Sequence, residues 1–345
     1  MSLKRVDRTS RCTQFAIAAA RMAVESARLD MAKEDPDRVG VIIATTGMIA
    51  LAIDEGEVIN NRPKRIDPLF VTKIGQSLVP AQVGLELGAR GINTTVNCAC
   101  ASGNDALGAA LSYLRSGYAE VIIAGGAEMG VNKMALASCG RMGAISRQTD
   151  PLRASRPFDL NRDGFVLGEG AGLLVLETLE HAVARGAPVL AELSGVGWSF
   201  DCYNETAPCA EQQAVAIRNA LKNAAVSPDE IDYINAHGTG TRLNDSVETR
   251  SIKLVFGEKA AGIPVSSNKS MIGHLAAAAG AVQAIAAVLT IQHGVIPPTI
   301  GYETPDPECD LDYVPNTARD KKVEICLSNA FGMGGQNCCL VLKRF

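Results

Sequence analysis

Val96-Asn97-Cys98-Ala99-Cys100-Ala101-Ser102-Gly103-Asn104-Asp105 joins two kinds of periodicity. Before it, Gly91 to Thr95 reads as a turn entering a strand; after it, Ala106 to Leu114 spaces its apolar residues as a helix does. A strand that passes straight into a helix is the unit from which layered α/β folds are built. Cys100 then stands at the elbow, where the first helical N–H groups lack internal partners and present the positive end of the macrodipole. A thiolate is stabilised there, so Cys100 is expected to ionise more easily than a free cysteine. The small neighbours Ala99, Ala101, Ser102 and Gly103 leave room for a bulky acyl group to reach the sulfur.

The rest of the composition agrees with a large folded protein. At 345 residues and 47% hydrophobic the chain can bury an extensive core and hold two domains or one duplicated unit. A net charge of -4 gives no electrostatic footprint for nucleic acid. The ten cysteines form no CxxC pair, and a chain of this size needs no stapling. A reducing cytoplasm therefore suits them better than a secreted framework. No signal peptide opens the sequence, since Lys4-Arg5-Val6-Asp7-Arg8 is charged and no apolar run follows at once. Leu275 to Gln292 is uncharged and long enough to suggest a membrane span, but it is mostly alanine and broken by Gly280, Gln283 and Thr290. It reads as a close-packed core helix, with no membrane insertion.

Helical and strand periodicities alternate along the chain. Helices are expected at Thr13 to Ala27, Gln76 to Ala89, Gly103 to Arg115, Glu177 to Arg185, Ala210 to Ala224 and Val247 to Phe256. Strands are expected at Val41 to Thr45, Thr94 to Cys98, Glu120 to Ala124, Gly170 to Leu176, Val189 to Val196, Tyr233 to Ala236 and Ile263 to Ser267. Three late strands follow, near Leu311 to Val314, Val323 to Leu327 and Asn337 to Lys343, and Ser138 to Gly164 reads as a long functional loop. Such alternation predicts mostly parallel sheets covered by helices. A seam near Leu179 to Pro188 divides the chain into two α/β halves, residues 1–178 and 179–345, without a visible sequence repeat.

Of the four histidines, His181 and His293 fall in or at the end of helices and read as surface residues. His237 and His274 instead lie in loops straight after strands, in Asn235-Ala236-His237-Gly238-Thr239-Gly240-Thr241 and Ser267-Asn268-Lys269-Ser270-Met271-Ile272-Gly273-His274. Carboxyl ends of parallel strands are where ligands bind. Two neutral imidazoles beside one thiol suit chemistry in which charge develops on an oxygen. No HxxxH, HExxH or CxxC spacing supports a metal site, and a Cys-His-Asn hydrolase would leave one histidine without a role. The glycine-rich turn Phe331-Gly332-Met333-Gly334-Gly335 can bring backbone N–H groups close to an oxyanion.

Six segments in one order resemble the elongating, synthase II-like β-ketoacyl-acyl carrier protein synthases of the thiolase-like superfamily. They are Asn97 to Gly103, Ala124 to Glu128, Arg156-Pro157-Phe158-Asp159 to Gly172, Asn235 to Thr241, Ser267 to Gly280 and Asn329 to Asn337. The resemblance implies a thiolase-like layered αβαβα fold from two similar halves, homodimerisation, and no cofactor beyond substrates presented on the phosphopantetheine of acyl carrier protein. It implies a Cys-His-His triad of Cys100, His237 and His274, with Cys100 carrying the acyl chain as a thioester and the imidazoles holding the enolate formed as malonyl-thioester loses carbon dioxide. Lys269 and Glu248 match the family lysine and carboxylate and are expected to pair and orient the histidines. The N–H groups of Cys100 and Phe331 would form the oxyanion hole. Phe331 would also gate the acyl pocket beside Met333, and Thr239 and Thr241 would hold the phosphopantetheine arm. Lys4, Arg5, Arg8 and Arg11 match the basic cluster that greets the acidic carrier protein in relatives, with Arg141 and Arg147 as further candidates.

The sequence also departs from the family. Relatives open with a strand and several dozen more residues before the helix that here starts near Thr13, so the first half is expected to be shortened, with an exposed sheet edge. Asn97 and Cys98 replace the small residues usual before the nucleophile, and Cys98 is expected to point into the core. A biosynthetic thiolase would need a cysteine in the loop Asn329 to Gly335, which has none, and a chain-length-factor subunit would lack Cys100. A polyketide ketosynthase would share the triad.

Overall fold

The computed structural model describes residues 6–47, 56 and 58–345. The helices that position the site are α1 (Arg11–Ser26), α2 (Leu78–Leu87), α3 (Ser102–Arg115), α4 (Lys133–Arg141), α5 (Leu179–Ala184), α6 (Ala210–Asn223), α7 (Arg242–Phe256) and α8 (Ala279–His293). The strands are β1 (Val39–Ala44), β2 (Asn93–Val96), β3 (Val121–Glu128), β4 (Gly170–Glu177), β5 (Glu192–Phe200), β6 (Tyr233–Asn235), β7 (Val265–Ser266), β8 (Val295–Ile296), β9 (Arg319–Asp320), β10 (Ile325–Phe331) and β11 (Gln336–Lys343). Among the described residues they form a four-stranded sheet ordered β2-β1-β3-β4, a five-stranded sheet ordered β5-β11-β10-β6-β7, and the pair β8-β9. Helices α3 and α8 touch both larger sheets, α1 and α2 cover the outer face of the first, and α6 and α7 that of the second. The result is five layers, αβαβα.

The two larger sheets are mixed, with four parallel pairings and three antiparallel ones. β1 runs parallel to β2 and β3, and β6 parallel to β7 and β10, but β4 returns antiparallel to β3 and β11 antiparallel to both β10 and β5. A four-residue turn between β10 and β11 leaves no length for a crossover, so that pair has to be antiparallel. Leu311 to Val314 is not a strand: it is irregular chain whose Asp312 carbonyl accepts from the Val265 N–H. The long loop begins later than expected, because α4 runs to Arg141. β3 does not stop at Ala124 but continues through Gly125 and Gly126 to Glu128. Those glycines serve close approach, since a Cβ on Gly126 would lie 2.7 Å from the Ala277 carbonyl oxygen and one on Gly125 would lie 2.1 Å from that of Gly172.

A repeat unseen in the sequence is visible here. The series β4-β3-β1-β2 has the same pairing senses as β11-β10-β6-β7. Each half also enters its central helix through a short 3-10 turn, Ala99–Ala101 before α3 and Ala276–Ala278 before α8. Ala99 and Ala276 both take left-handed backbone, φ 48° and 44°. The central helices cross at glycine, where a Cβ on Gly103 would sit 2.5 Å from the Ala281 nitrogen and one on Gly280 would sit 2.6 Å from the Asn104 nitrogen. The span 276–293 has mean hydropathy 1.4, enough by length and composition to cross a membrane, yet 61% of it is buried inside the protein. No described strand pairs with β4 on the side that β5 takes beside β11. An apolar groove of about 600 Å³ runs there, with Met22, Leu289 and Phe345 exposed along it.

Candidate active site

Cys100 occupies the elbow that its sequence predicts. The left-handed Ala99 reverses the chain, and Ser102 latches the turn, its Oγ accepting from the Cys98 N–H at 2.7 Å and donating to the Ala99 carbonyl at 2.5 Å. Gly332 presses on this turn so closely that a Cβ would meet the Cys98 carbonyl oxygen at 2.5 Å. The expected easy ionisation is not found. Burial pushes the Cys100 thiol up; the Met333 backbone N–H and the Lys269 charge pull it back, while Glu128 and Cys139 push it further up. Cys98 does not simply fill the core either: it is half-buried, and its Sγ donates to Asp105 Oδ2 at 3.0 Å. Burial and that carboxylate push Cys98 up to about 12.

The two histidines reach the site from neighbouring strands. His237 lies two residues past β6, and His274 follows β7 after a single helical turn, Lys269–Ile272. Because β6 and β7 are parallel partners, their carboxyl ends lie side by side. The rings stand 5.4 Å apart between centroids with an interplanar angle of 85°, and both residues are buried. Burial and the Lys269 charge drive both imidazoles well below their usual range, His274 adding to the effect on His237, so both are neutral. The Ala276 backbone N–H donates to His274 Nδ1 at 3.2 Å, which leaves the ring proton of His274 on Nε2. Its backbone is clamped by the glycine-containing stretch after Arg162: His274 N–H donates to the Val166 carbonyl, and Gly168 N–H to that of His274.

Lys269 and Glu248 are both buried beside His237, but no direct ion pair joins them, contrary to the sequence expectation. Lys269 Nζ donates to the His237 carbonyl at 2.5 Å and to Gln283 Oε1 at 2.6 Å. Glu248 accepts from the N–H groups of His237 at 2.8 Å and Gly238 at 2.7 Å, and from Asn329 Nδ2 at 3.1 Å. The lysine thus grips the loop by its carbonyl and the glutamate by its N–H groups. Burial pulls Lys269 down to about 8. Gln283 stands out in the sequence only as a polar break in an otherwise apolar helix, with no role assigned to it. It also donates to the Ala236 and Asn329 carbonyls, so it ties α8 to β6 and β10.

Cys100, His237, His274, Phe331, Thr239 and Thr241 line a single cleft of about 650 Å³. The Thr239 and Thr241 hydroxyls are 2.9 Å apart, and Thr241 also caps α7 by accepting from Asn244 N–H. The Phe331 ring lies 5.8 Å from His237. Since Gly332 N–H is bonded to Gln336, antiparallel alternation turns the Phe331 N–H away from β11. Met333 is half-exposed on the cleft wall. Of the basic residues, Arg147 is exposed and lines the cleft, Arg8 and Arg141 are exposed, and Arg11 binds Glu169 at 2.6 Å. Lys4 and Arg5 lie outside the described residues. His181, read as a surface residue, is bound between Glu34 and Glu177 at 2.8 and 2.7 Å, whereas His293 is exposed.

Residues 1–182 match the model of the β-ketoacyl synthase N-terminal domain, and residues 190–303 that of the C-terminal domain. The chain belongs to the β-ketoacyl synthase family. It is therefore a condensing acyltransferase with the thiolase-like fold. This β-ketoacyl synthase chain is 43% identical to 3-oxoacyl-[acyl-carrier-protein] synthase 2 of Staphylococcus aureus (strain COL), over 99% of its own length and 84% of that relative. The Synechocystis enzyme of the same name is 41% identical over 99% and 83%. Among solved structures, the ishigamide ketosynthase/chain length factor superposes with a TM-score of 0.93 at 39% identity, covering 100% of this synthase chain and 84% of that one. A type II polyketide ketosynthase solved with its acyl-carrier protein gives 0.92 at 38%, covering 96% and 84%.

Proposed function

We propose that the chain is a 3-oxoacyl-[acyl-carrier-protein] synthase that elongates fatty acids by decarboxylative Claisen condensation. The observation that carries this reading is the convergence of the Cys100, His237 and His274 side chains on one cleft. In the first step the Cys100 sulfur attacks an acyl thioester; the carrier's C–S bond breaks and its thiol leaves with the proton. In the second, malonyl thioester binds with its carbonyl oxygen facing His237 and His274. Its bond to the carboxylate breaks, carbon dioxide departs, and the electron pair becomes an enolate held by the imidazole N–H groups. The enolate carbon then attacks the acyl-Cys100 carbonyl, whose oxyanion the Cys100 and Phe331 N–H groups receive, and the sulfur leaves and regains a proton.

The imidazole and backbone N–H groups meet the enolate and oxyanion charges, so the proposed route calls on no metal or resident cofactor. Thr239 and Thr241 would hold the phosphopantetheine arm along the cleft wall, and Arg147 and Arg8 would meet the acidic carrier protein. The outer edge of β2, unpaired among the described residues, supports a homodimer in which two such edges adjoin. Cysteines that are all free support a reducing, cytoplasmic setting. The likeness to polyketide ketosynthases favours a second reading, condensation on a polyketide pathway. Intact mass after incubation with acyl-carrier thioesters tests the assignment: an acyl adduct mapped to Cys100 is expected, and its absence refutes it. Comparing saturated acyl with β-ketoacyl donors separates the two pathways.

A further inference from the structure

Glu128, at the end of β3, is 2% exposed and has no part in the chemistry above. Its Oε2 accepts from the Thr46 backbone N–H at 3.0 Å and the Thr46 hydroxyl at 2.7 Å, and its Oε1 from the Met129 N–H at 3.2 Å. The Ala277 backbone N–H is a further donor to the same carboxyl. Burial pushes this carboxyl above its ordinary range while those donors hold it down. Three of the four contacts are backbone N–H groups, which can only donate, and a carboxylate satisfies them best, while the Thr46 hydroxyl can turn either way.

The donors lie on three separate segments: the exit of β1, the exit of β3, and the 3-10 turn that follows His274 by two residues. That turn packs directly against the Cys100 turn, and Gly126 lets β3 touch it without a side chain between. The groups acting on the Cys100 sulfur are the Met333 N–H, Lys269, Glu128 and Cys139, so Glu128 is the anion that opposes Lys269 there.

We propose that Glu128 is a positioning residue for the condensation: it locks the turn after His274 against the Cys100 turn and sets a buried negative charge against the nucleophilic sulfur. This rests on the reading of Cys100 as nucleophile. Replacing the carboxylate by an amide removes the charge and turns an N–H₂ group toward donors, so the sulfur becomes more easily ionised while the geometry loosens.

The test compares wild type, E128Q and E128D in two measurements. One is carbamidomethylation of Cys100 by iodoacetamide between about pH 6 and 9, followed by peptide mapping; the other is condensation of acyl- and malonyl-carrier thioesters. E128Q is expected to alkylate at Cys100 about threefold faster near neutral pH, yet to condense at least about tenfold more slowly. E128D, which keeps the charge, is expected to retain the wild-type alkylation profile. Folded E128Q that alkylates no faster than wild type, or that condenses at the wild-type rate, overturns the proposal. If E128Q does not fold, T46V decides, because it deletes one donor and no charge: condensation should fall with alkylation unchanged, and an unchanged condensation rate overturns the proposal. Failure of wild-type Cys100 to accept an acyl group would instead refute the nucleophile assignment, a result the alkylation comparison does not depend on.

Discussion

The imidazoles of His237 and His274 stand nearly perpendicular, 5.4 Å apart between ring centroids; the Ala276 N–H holds the His274 ring, and Glu248 holds the His237 backbone. Neither ring leans on a carboxylate, so neither is set up as a charged acid. Two neutral rings in a buried cleft are arranged to donate to one oxygen, and the first prediction follows from that. H274A and H237A should each lose malonyl decarboxylation by a factor of about a hundred or more. Both should still accept an acyl group on Cys100. Carbon dioxide release and intact mass, measured on the same samples, separate the two steps; loss of acylation in both variants would contradict the division of labour.

Removing the sulfur gives the complementary pattern. C100A should show no acyl adduct and condensation reduced by about a thousandfold or more, while malonyl decarboxylation persists because the histidines remain. A C100A protein that condensed would place the nucleophile elsewhere.

Lys269 makes the site sensitive to alkali. Its amine, pulled down to about 8 by burial, sheds its proton in the folded chain well before an unfolded lysine does, near about 10.4. Between those values the unfolded chain binds more protons, so the contribution of Lys269 to stability rises with pH across that window. Activity should move the other way, because the buried positive charge beside both imidazoles, which favours the enolate anion formed there, is lost. The decarboxylation rate should therefore fall above about pH 8, and K269M should be slower at all pH values and lack that limb.

Glu248 is the sole carboxylate on three buried donors from His237, Gly238 and Asn329. E248A should cost about 3 kcal/mol in urea unfolding, roughly one per orphaned donor. E248Q, which keeps one acceptor oxygen, should lose less. An alanine variant as stable as wild type would show that the loop does not depend on this carboxylate.

The crossing of α3 and α8 leaves no room for a methyl group. G103A and G280A should each lower stability by about 2 kcal/mol or more through overpacking, read as a lower urea midpoint. Tolerance of both would mean that the helices slide apart freely.

Much of this site was legible before any coordinates. Cys100, His237 and His274 each follow a strand in the sequence, and strand ends converge in layered folds, so their meeting was foreseeable. Lys269 and Glu248 were also identified, but not their partners. Opposite charges suggest a pair, whereas the chain uses them to hold opposite polarities of one peptide loop. The roles of Gln283 and Glu128 escaped because hydrogen bonds to backbone groups leave no pattern in side-chain spacing.

The order of apolar and polar residues determined the strands, the helices, the nucleophile elbow and the family, since those depend on local periodicity and on chemistry carried by single residues. Tertiary structure alone decided the mixed sense of the sheets, the raised thiol of Cys100 and the repeat that pairs Ala99 with Ala276. Each is a property of neighbours distant along the chain: strand direction follows from which edge is free, ionisation from how much water is excluded, and the repeat from backbone angles that quite different side chains can share.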